Sequence, residues 1–251
     1  MRKRLFTALI SIILCTVASS EADAKIRSRE EYEKSNNVIW DIQTDEKIVA
    51  FTFDDGPHPL YTVQLLNVLA KYNAKATFFV SGIQARKYPF ILRRQIKEGH
   101  ELANHTFSHT YNAKVKPSFL KKELAMTNDI IYQATGFRPS LYRPVGGLYN
   151  DRIIHTAAKA GYQVVLWSWH QDTLDWKKPN AKRIAHQVIK GTRPGNIILM
   201  HDSGGNRSQT VQAVEKILRQ LSKEGYEFVT VSEMIYRSQS ILPSYFPLIP
   251  R

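Results

Sequence analysis

Short apolar runs rich in β-branched residues recur along the chain, and segments with helical periodicity separate them. The runs lie at 47–53, 76–81, 100–104, 141–143, 163–169, 196–201 and 228–231. The helical patterns fall at about 60–72, 84–98, 118–135, 150–160, 180–190 and 207–224. Near-continuous apolar runs of this length suit strands buried on both faces, as in parallel sheets. Gly99, Gly136, Gly161, Gly191 and Gly225 each fall just past a helical pattern, where a left-handed residue commonly ends a helix. Repeated βα units of this kind predict an α/β fold with a parallel sheet, open or closed into a barrel. With 251 residues, 43% of them hydrophobic, the chain has enough apolar material for one substantial domain.

The ends read differently. Arg2-Lys3-Arg4, the apolar run Leu5 to Val17 and the small-residue site Ala22-Asp23-Ala24 predict a secretory signal over 1–24, or a membrane anchor where it stays uncleaved. Cys15, the sole cysteine, lies inside it, so disulfides and thiolate ligands are excluded from the mature chain. Polar residues 25–45 predict an N-terminal arm or linker, 46–237 the domain, and 238–251 an irregular tail. A secreted or cell-wall-associated protein is expected. The net charge of +13 favours anionic cell-wall or membrane surfaces. No basic-aromatic recognition motif is present, so no nucleic acid is expected as a partner.

Unusual polar residues cluster where strands end. Asp54 and Asp55 follow the first run, His105 and His109 the third; Arg143 ends the fourth, Asp172 and Asp175 follow the fifth, and His201 ends the sixth. In βα folds the carboxyl ends of the strands share one face, which carries the active site. Adjacent carboxylates repel unless a cation or hydrogen bonds compensate them. Two imidazoles at i and i+4 with a carboxylate from Asp54 or Asp55 would hold a divalent ion and leave positions open for water. Such an ion lowers the pKa of water, the second aspartate serves as base, and His201 protonates a leaving group. Together these groups describe hydrolysis of an amide or ester. His58, His155 and His186 are expected in loop or packing roles, Asp172 in loop ordering, and Asp202 near His201 or capping the next loop. Trp167 and Trp169 are expected in the core.

The segments Thr52-Phe53-Asp54-Asp55-Gly56-Pro57, His105-Thr106-Phe107-Ser108-His109, Arg143-Pro144-Val145-Gly146, Asp172-Thr173-Leu174-Asp175-Trp176 and Leu199-Met200-His201 resemble, in order, five motifs of the polysaccharide deacetylases. This is the NodB-homology group, carbohydrate esterase family four. The resemblance implies a distorted (β/α) barrel of about seven parallel strands. It implies Asp54 as catalytic base, paired with Arg143, and His201 as acid, oriented by Asp175. Asp55, His105 and His109 are implied as ligands of one divalent metal, usually zinc, with cobalt, nickel and manganese as alternatives. Trp176 and Leu199 match the walls of the acetyl pocket, and Gly146 the backbone oxyanion donor. Many members carry Pro-Tyr where this chain has Val145-Gly146, so a bulky wall is lost and a wider, less rigid sugar site is expected. The implied activity is removal of N-acetyl groups from cell-wall glycan, at N-acetylglucosamine or N-acetylmuramic acid of peptidoglycan. Chitin or chitooligosaccharide deacetylation, acetylxylan ester hydrolysis and a catalytically silent glycan-binding protein are the alternatives.

Overall fold

The computed structural model describes residues 26–35 and 37–238. The expected leader, Cys15 and the expected tail beyond Ser238 lie outside the described residues. Strand β1 (Val38–Ile39) is followed by β2 (Ile48–Asp54), β3 (Ala76–Val80), β4 (Glu101–Asn104), β5 (Leu141–Tyr142), β6 (Gln163–Val165), β7 (Ile197–His201) and β8 (Glu227–Phe228). Their order in the sheet is β1-β6-β5-β4-β3-β2-β7, with β8 also paired to β2, and all these pairings are parallel. The sheet curls into a half-barrel. Ser168 N–H donates to Ile197 O at 3.0 Å and Ile42 N–H to Gly195 O at 3.0 Å, which draws the two ends of the curl together. The barrel expected from the motifs is the fold observed, with an incomplete wall.

Period-two alternation divides each strand between two environments. On β2, Phe51 and Phe53 join Phe78, Ile198 and Met200 in an outer layer. Helices α2 (Tyr61–Lys71), α7 (Ala181–Gly191) and α8 (Ser208–Lys223) cover that layer with Leu65, Leu69, Ile184, Val188, Ile217 and Leu221. The alternate residues Ile48 and Ala50 face the interior with Phe79, Ala103, Val165 and Ile197. Thr52 and Asp54 continue that inward series toward the rim, so one strand face passes from apolar floor to charged mouth. Helix α9 (Val231–Arg237) closes the floor with Val231, Met234 and Ile235. Glu101 pins it there, accepting from Thr77 Oγ1 at 2.8 Å, from Ser232 N–H at 3.2 Å and from the Ser232 hydroxyl. Burial pushes the Glu101 carboxyl up, against these hydrogen bonds.

Helix α5 (Pro117–Thr135) starts on a proline, whose missing N–H costs nothing in the first turn, and stops at Gly136 with φ +75°. Between β3 and β4 the one expected helix is two, α3 (Gly82–Lys87) and α4 (Pro89–Lys97), because Pro89 cannot continue the first. The stretch expected as an arm contributes structure of its own. Helix α1 (Arg29–Lys34) begins with a capping box at Ser28 and Glu31, β1 pairs with β6, and Tyr32 and Trp40 are buried beside Val164 and Leu166. The strand expected over 163–169 ends at Val165. Trp169 stands 63% exposed in a turn, so its expected core role is corrected.

Phe78 is fully buried and stacks on Phe53 at 5.1 Å. Phe78→Ala is expected to cost about 3–5 kcal/mol, read as a fall in the urea midpoint at unchanged m-value.

Candidate active site

The inward-facing strand ends bring the charged residues together. Asp54 closes β2 and pairs in register with His201 of β7. Its carboxylate is almost wholly buried, and Oδ1 accepts from Arg143 Nη1 at 2.8 Å. Arg143 has no exposed surface. It also donates to Thr52 Oγ1 at 2.8 Å, Val165 O at 3.0 Å and Leu166 O at 2.7 Å. Its guanidinium lies 4.0 Å from the centre of the Phe79 ring. Burial lowers the Arg143 pKa, and the charge of Asp54 opposes that. An arginine starts so far above neutrality that the guanidinium stays charged.

Asp55 departs from the strand at φ +77° and turns its carboxylate toward two imidazoles. Its Oδ1 lies 2.8 Å from His109 Nε2 and 3.5 Å from His105 Nε2. Burial alone would raise Asp55, but the hydrogen bonds of both histidines outweigh it and hold the carboxyl below the usual range. The same contact with Asp55 raises His109. Three potential ligand atoms from Asp55, His105 and His109 lie within 4.8 Å of one another. Donors about 2.0–2.2 Å from a tetrahedral ion stand about 3.3–3.6 Å apart, so two nitrogens and one oxygen at this spacing fit a divalent ion. The tautomer fits too. His105 Nδ1 lies 2.7 Å from the Arg143 carbonyl, which accepts its proton and leaves the Nε2 lone pair, on the side of Asp55, to bind an ion.

Across the rim, His201 Nδ1 meets Asp175 Oδ1 at 2.6 Å. Asp175 is buried, and its Oδ2 accepts from Thr210 Oγ1 at 2.7 Å and His201 N–H at 3.0 Å. Burial works against the imidazolium of His201, yet Asp175, with Asp54 and Asp55 beyond it, raises the pKa to about 9. Leu199 is buried two residues before His201, on the same strand face. Trp176 follows Asp175 and is half exposed. Gly146 sits at the rim with φ +62°. Asp172 orders its loop by accepting Leu174 N–H at 3.1 Å. Asp202 is fully buried and accepts the Thr62 hydroxyl at the start of α2; burial raises it to about 7.

Two features escaped the sequence reading. The loop between the histidines is strained, with Thr106 at φ +66° and His109 at φ +56°, and Glu123 of α5 holds it. The Glu123 carboxylate accepts from Phe107 N–H at 3.1 Å, Ser108 N–H at 2.6 Å and Ser108 Oγ at 2.7 Å. A signal existed, because Glu123 falls in register with the buried Leu120, Leu124, Thr127 and Ile131 of its helix. The second is Tyr111, which lies across Gly146. A shallow recess behind the histidine loop is lined by Thr106, Glu123, Phe119, Tyr142 and Val145, and neither Asp54 nor His201 borders it.

The sequence pattern of the polysaccharide deacetylases matches residues 41–165. A peptidoglycan-N-acetylglucosamine deacetylase of Bacillus cereus is 45% identical over 207 residues, covering 82% of this chain and 97% of that relative. The chain belongs to the polysaccharide deacetylase family. Within the family, a peptidoglycan N-acetylglucosamine deacetylase solved with 4-naphthalen-1-yl-N-oxidanyl-benzamide has a TM-score of 0.78 at 34% identity, over 82% of this chain and 95% of that one. A family 4 acetyl xylan esterase from Clostridium thermocellum, solved with a cobalt ion, has a TM-score of 0.71 at 35% identity, over 76% and 91%. Polysaccharide deacetylases are metal-dependent, and among the described residues Asp55, His105 and His109 form the cluster that could hold an ion.

Removing the brace on the histidine loop tests its importance. Glu123→Ala is expected to weaken cobalt or zinc binding about 10–100-fold by titration calorimetry, with the far-UV circular dichroism unchanged.

Proposed function

We propose that this protein is an exported hydrolase that removes N-acetyl groups from peptidoglycan, with N-acetylglucosamine as the sugar. The observation that carries the reading is the asymmetry of the two aspartates. Asp54 is bound to a buried arginine, and Asp55 faces two imidazoles. The Bacillus cereus relative, matched over 97% of its length, supports peptidoglycan N-acetylglucosamine as the substrate. The leader sequence over 1–24 and the charge of +13 suit an enzyme working at an anionic cell wall.

Asp55, His105 and His109 would hold one divalent ion, with zinc the first expectation and cobalt, nickel or manganese as substitutes. When bound, such an ion supplies Lewis acidity, acidifying water and polarising the acetamide carbonyl. Asp54, with Oδ1 occupied by Arg143, takes a proton from the attacking water at Oδ2. Gly146 donates its backbone N–H to the carbonyl oxygen as negative charge develops there. Leu199 and Trp176 wall the slot for the acetyl methyl. His201 delivers the proton at Nε2 to the departing amine, and Asp175 balances the imidazolium. Acetate and a free amino sugar are the products.

Exchange of either aspartate separates their duties. Asp54→Asn is expected to abolish acetate release while metal affinity stays near wild type; Asp55→Asn is expected to lose metal affinity as well. Undiminished acetate release by Asp54→Asn would sink the base assignment. Asp175→Asn removes the charge that opposes burial at His201. The acid then loses its proton at lower pH, and the alkaline limb of kcat/KM is expected to move down. Mass spectrometry of peptidoglycan, N-acetylglucosamine oligomers and acetylxylan after treatment identifies the sugar. Loss of acetyl groups from acetylxylan alone would replace the amide reading with an ester one.

A further inference from the structure

The loop after Arg143 exposes two consecutive glycines, and an aromatic ring from elsewhere covers each. A Cβ added to Gly146 would lie 2.3 Å from Tyr111 Cε2, and one added to Gly147 would lie 2.5 Å from Trp167 Cη2. Both glycines hold the left-handed conformation, with φ of +62° and +67°. The rings do different things. Trp167 is half-buried, 5.7 Å from the Arg143 guanidinium, and backs the loop from inside. Tyr111 follows the ligand His109 by two residues and keeps 68% of its surface exposed. Tyr111 thus stands in space that the missing side chain at position 146 leaves beside the loop.

We propose that Tyr111 is a substrate-contact residue of the deacetylation site. Its ring, laid across Gly146, is the wall against which the C–H face of an N-acetylated sugar ring stacks. This proposal rests on the deacetylase reading above. A pyranose presents axial hydrogens on one face, and the electron-rich face of a tyrosine receives them while the phenol end stays wet. A ring this exposed adds little to the core, so packing does not account for its position. Tyrosine offers a large flat surface with few rotatable bonds, so fixing it against a ligand costs little entropy. Gly146 is the other half of the device, because any side chain there strikes the Tyr111 ring. The wall is thus carried by the loop that bears the metal ligands and not by position 146 itself.

The test is steady-state acetate release from an N-acetylglucosamine tetrasaccharide with zinc-loaded protein. Tyr111→Leu keeps an apolar side chain but removes the aromatic face together with the Cε2 atom that stands nearest position 146. KM is expected to rise about tenfold with kcat little changed and an unaltered thermal midpoint. Tyr111→Phe is expected to keep KM within about twofold, since the face is retained. Gly146→Tyr alone collides with Tyr111 and loses activity. Combined with Tyr111→Leu it is expected to recover part of the KM, a non-additivity that marks the two positions as one unit. An unchanged KM in Tyr111→Leu, or strict additivity in the double variant, overturns the proposal while wild-type turnover leaves the deacetylase reading standing. Should wild-type protein release no acetate from any N-acetylated glycan, the deacetylase reading itself fails. Calorimetric affinity for the tetrasaccharide then decides the wall, with equal binding by wild type and Tyr111→Leu overturning it.

Discussion

A guanidinium buried inside the half-barrel is the interaction on which the rim depends. Arg143 has no exposed surface, and it satisfies its charge and hydrogen bonds with Asp54, Thr52 and the carbonyls of Val165 and Leu166. It thereby ties β2 to β6 across the interior while Phe79 of β3 supports its face. A buried ion pair of this kind is no source of net stability in itself, yet loss of one partner strands the other charge. Its backbone carbonyl fixes the His105 tautomer. One residue thus orients the proposed base through its side chain and a proposed metal ligand through its main chain.

Around that anchor, environment separates groups that are chemically alike. Asp54 and Asp55 are neighbours in sequence, but the left-handed turn at Asp55 points the second carboxylate to a different set of partners. Histidines are divided similarly. Asp175 makes His201 readily protonated, whereas the Arg143 carbonyl takes one nitrogen of His105 and leaves the other for an ion. His100, buried at the far end of β4, is pushed down to about 3 by burial and stays neutral. The strained conformations at Asp55, Thr106 and His109 persist because buried partners, Glu123 foremost, hold the loops that carry them.

Much of this was legible in the sequence, because the signals are local. Apolar runs mark the strands, and acids and histidines at their ends mark the rim. The motif resemblance proposes which of those residues serve as base, acid and ligands. The misses share a different cause. β1 is two residues long, and its pairing with β6 is a long-range fact that no local pattern encodes. α9 has no counterpart in the sequence pattern, where the run 228–231 ends on its first residue, Val231. Tyr111 sits in a polar loop with no periodicity, and only the fold shows that it lies over Gly146. Glu123 carried a faint signal, a carboxylate on the apolar side of a helix, whose meaning depends on the loop it meets.

The floor of the barrel has a consequence for how any polymer meets this protein. Val231, Met234 and Ile235 fill the interior below Ala50 and Ile197, and Arg143 fills it above. Among the described residues the strand-lined interior is filled from floor to rim, so under the proposed function a glycan would lie broadside over the strand ends, with one sugar toward Asp54, rather than thread between the strands. A surface that receives its polymer sideways does not need a free chain end. That geometry suits a substrate already cross-linked into a network, where ends are scarce and interior units are the ones on offer.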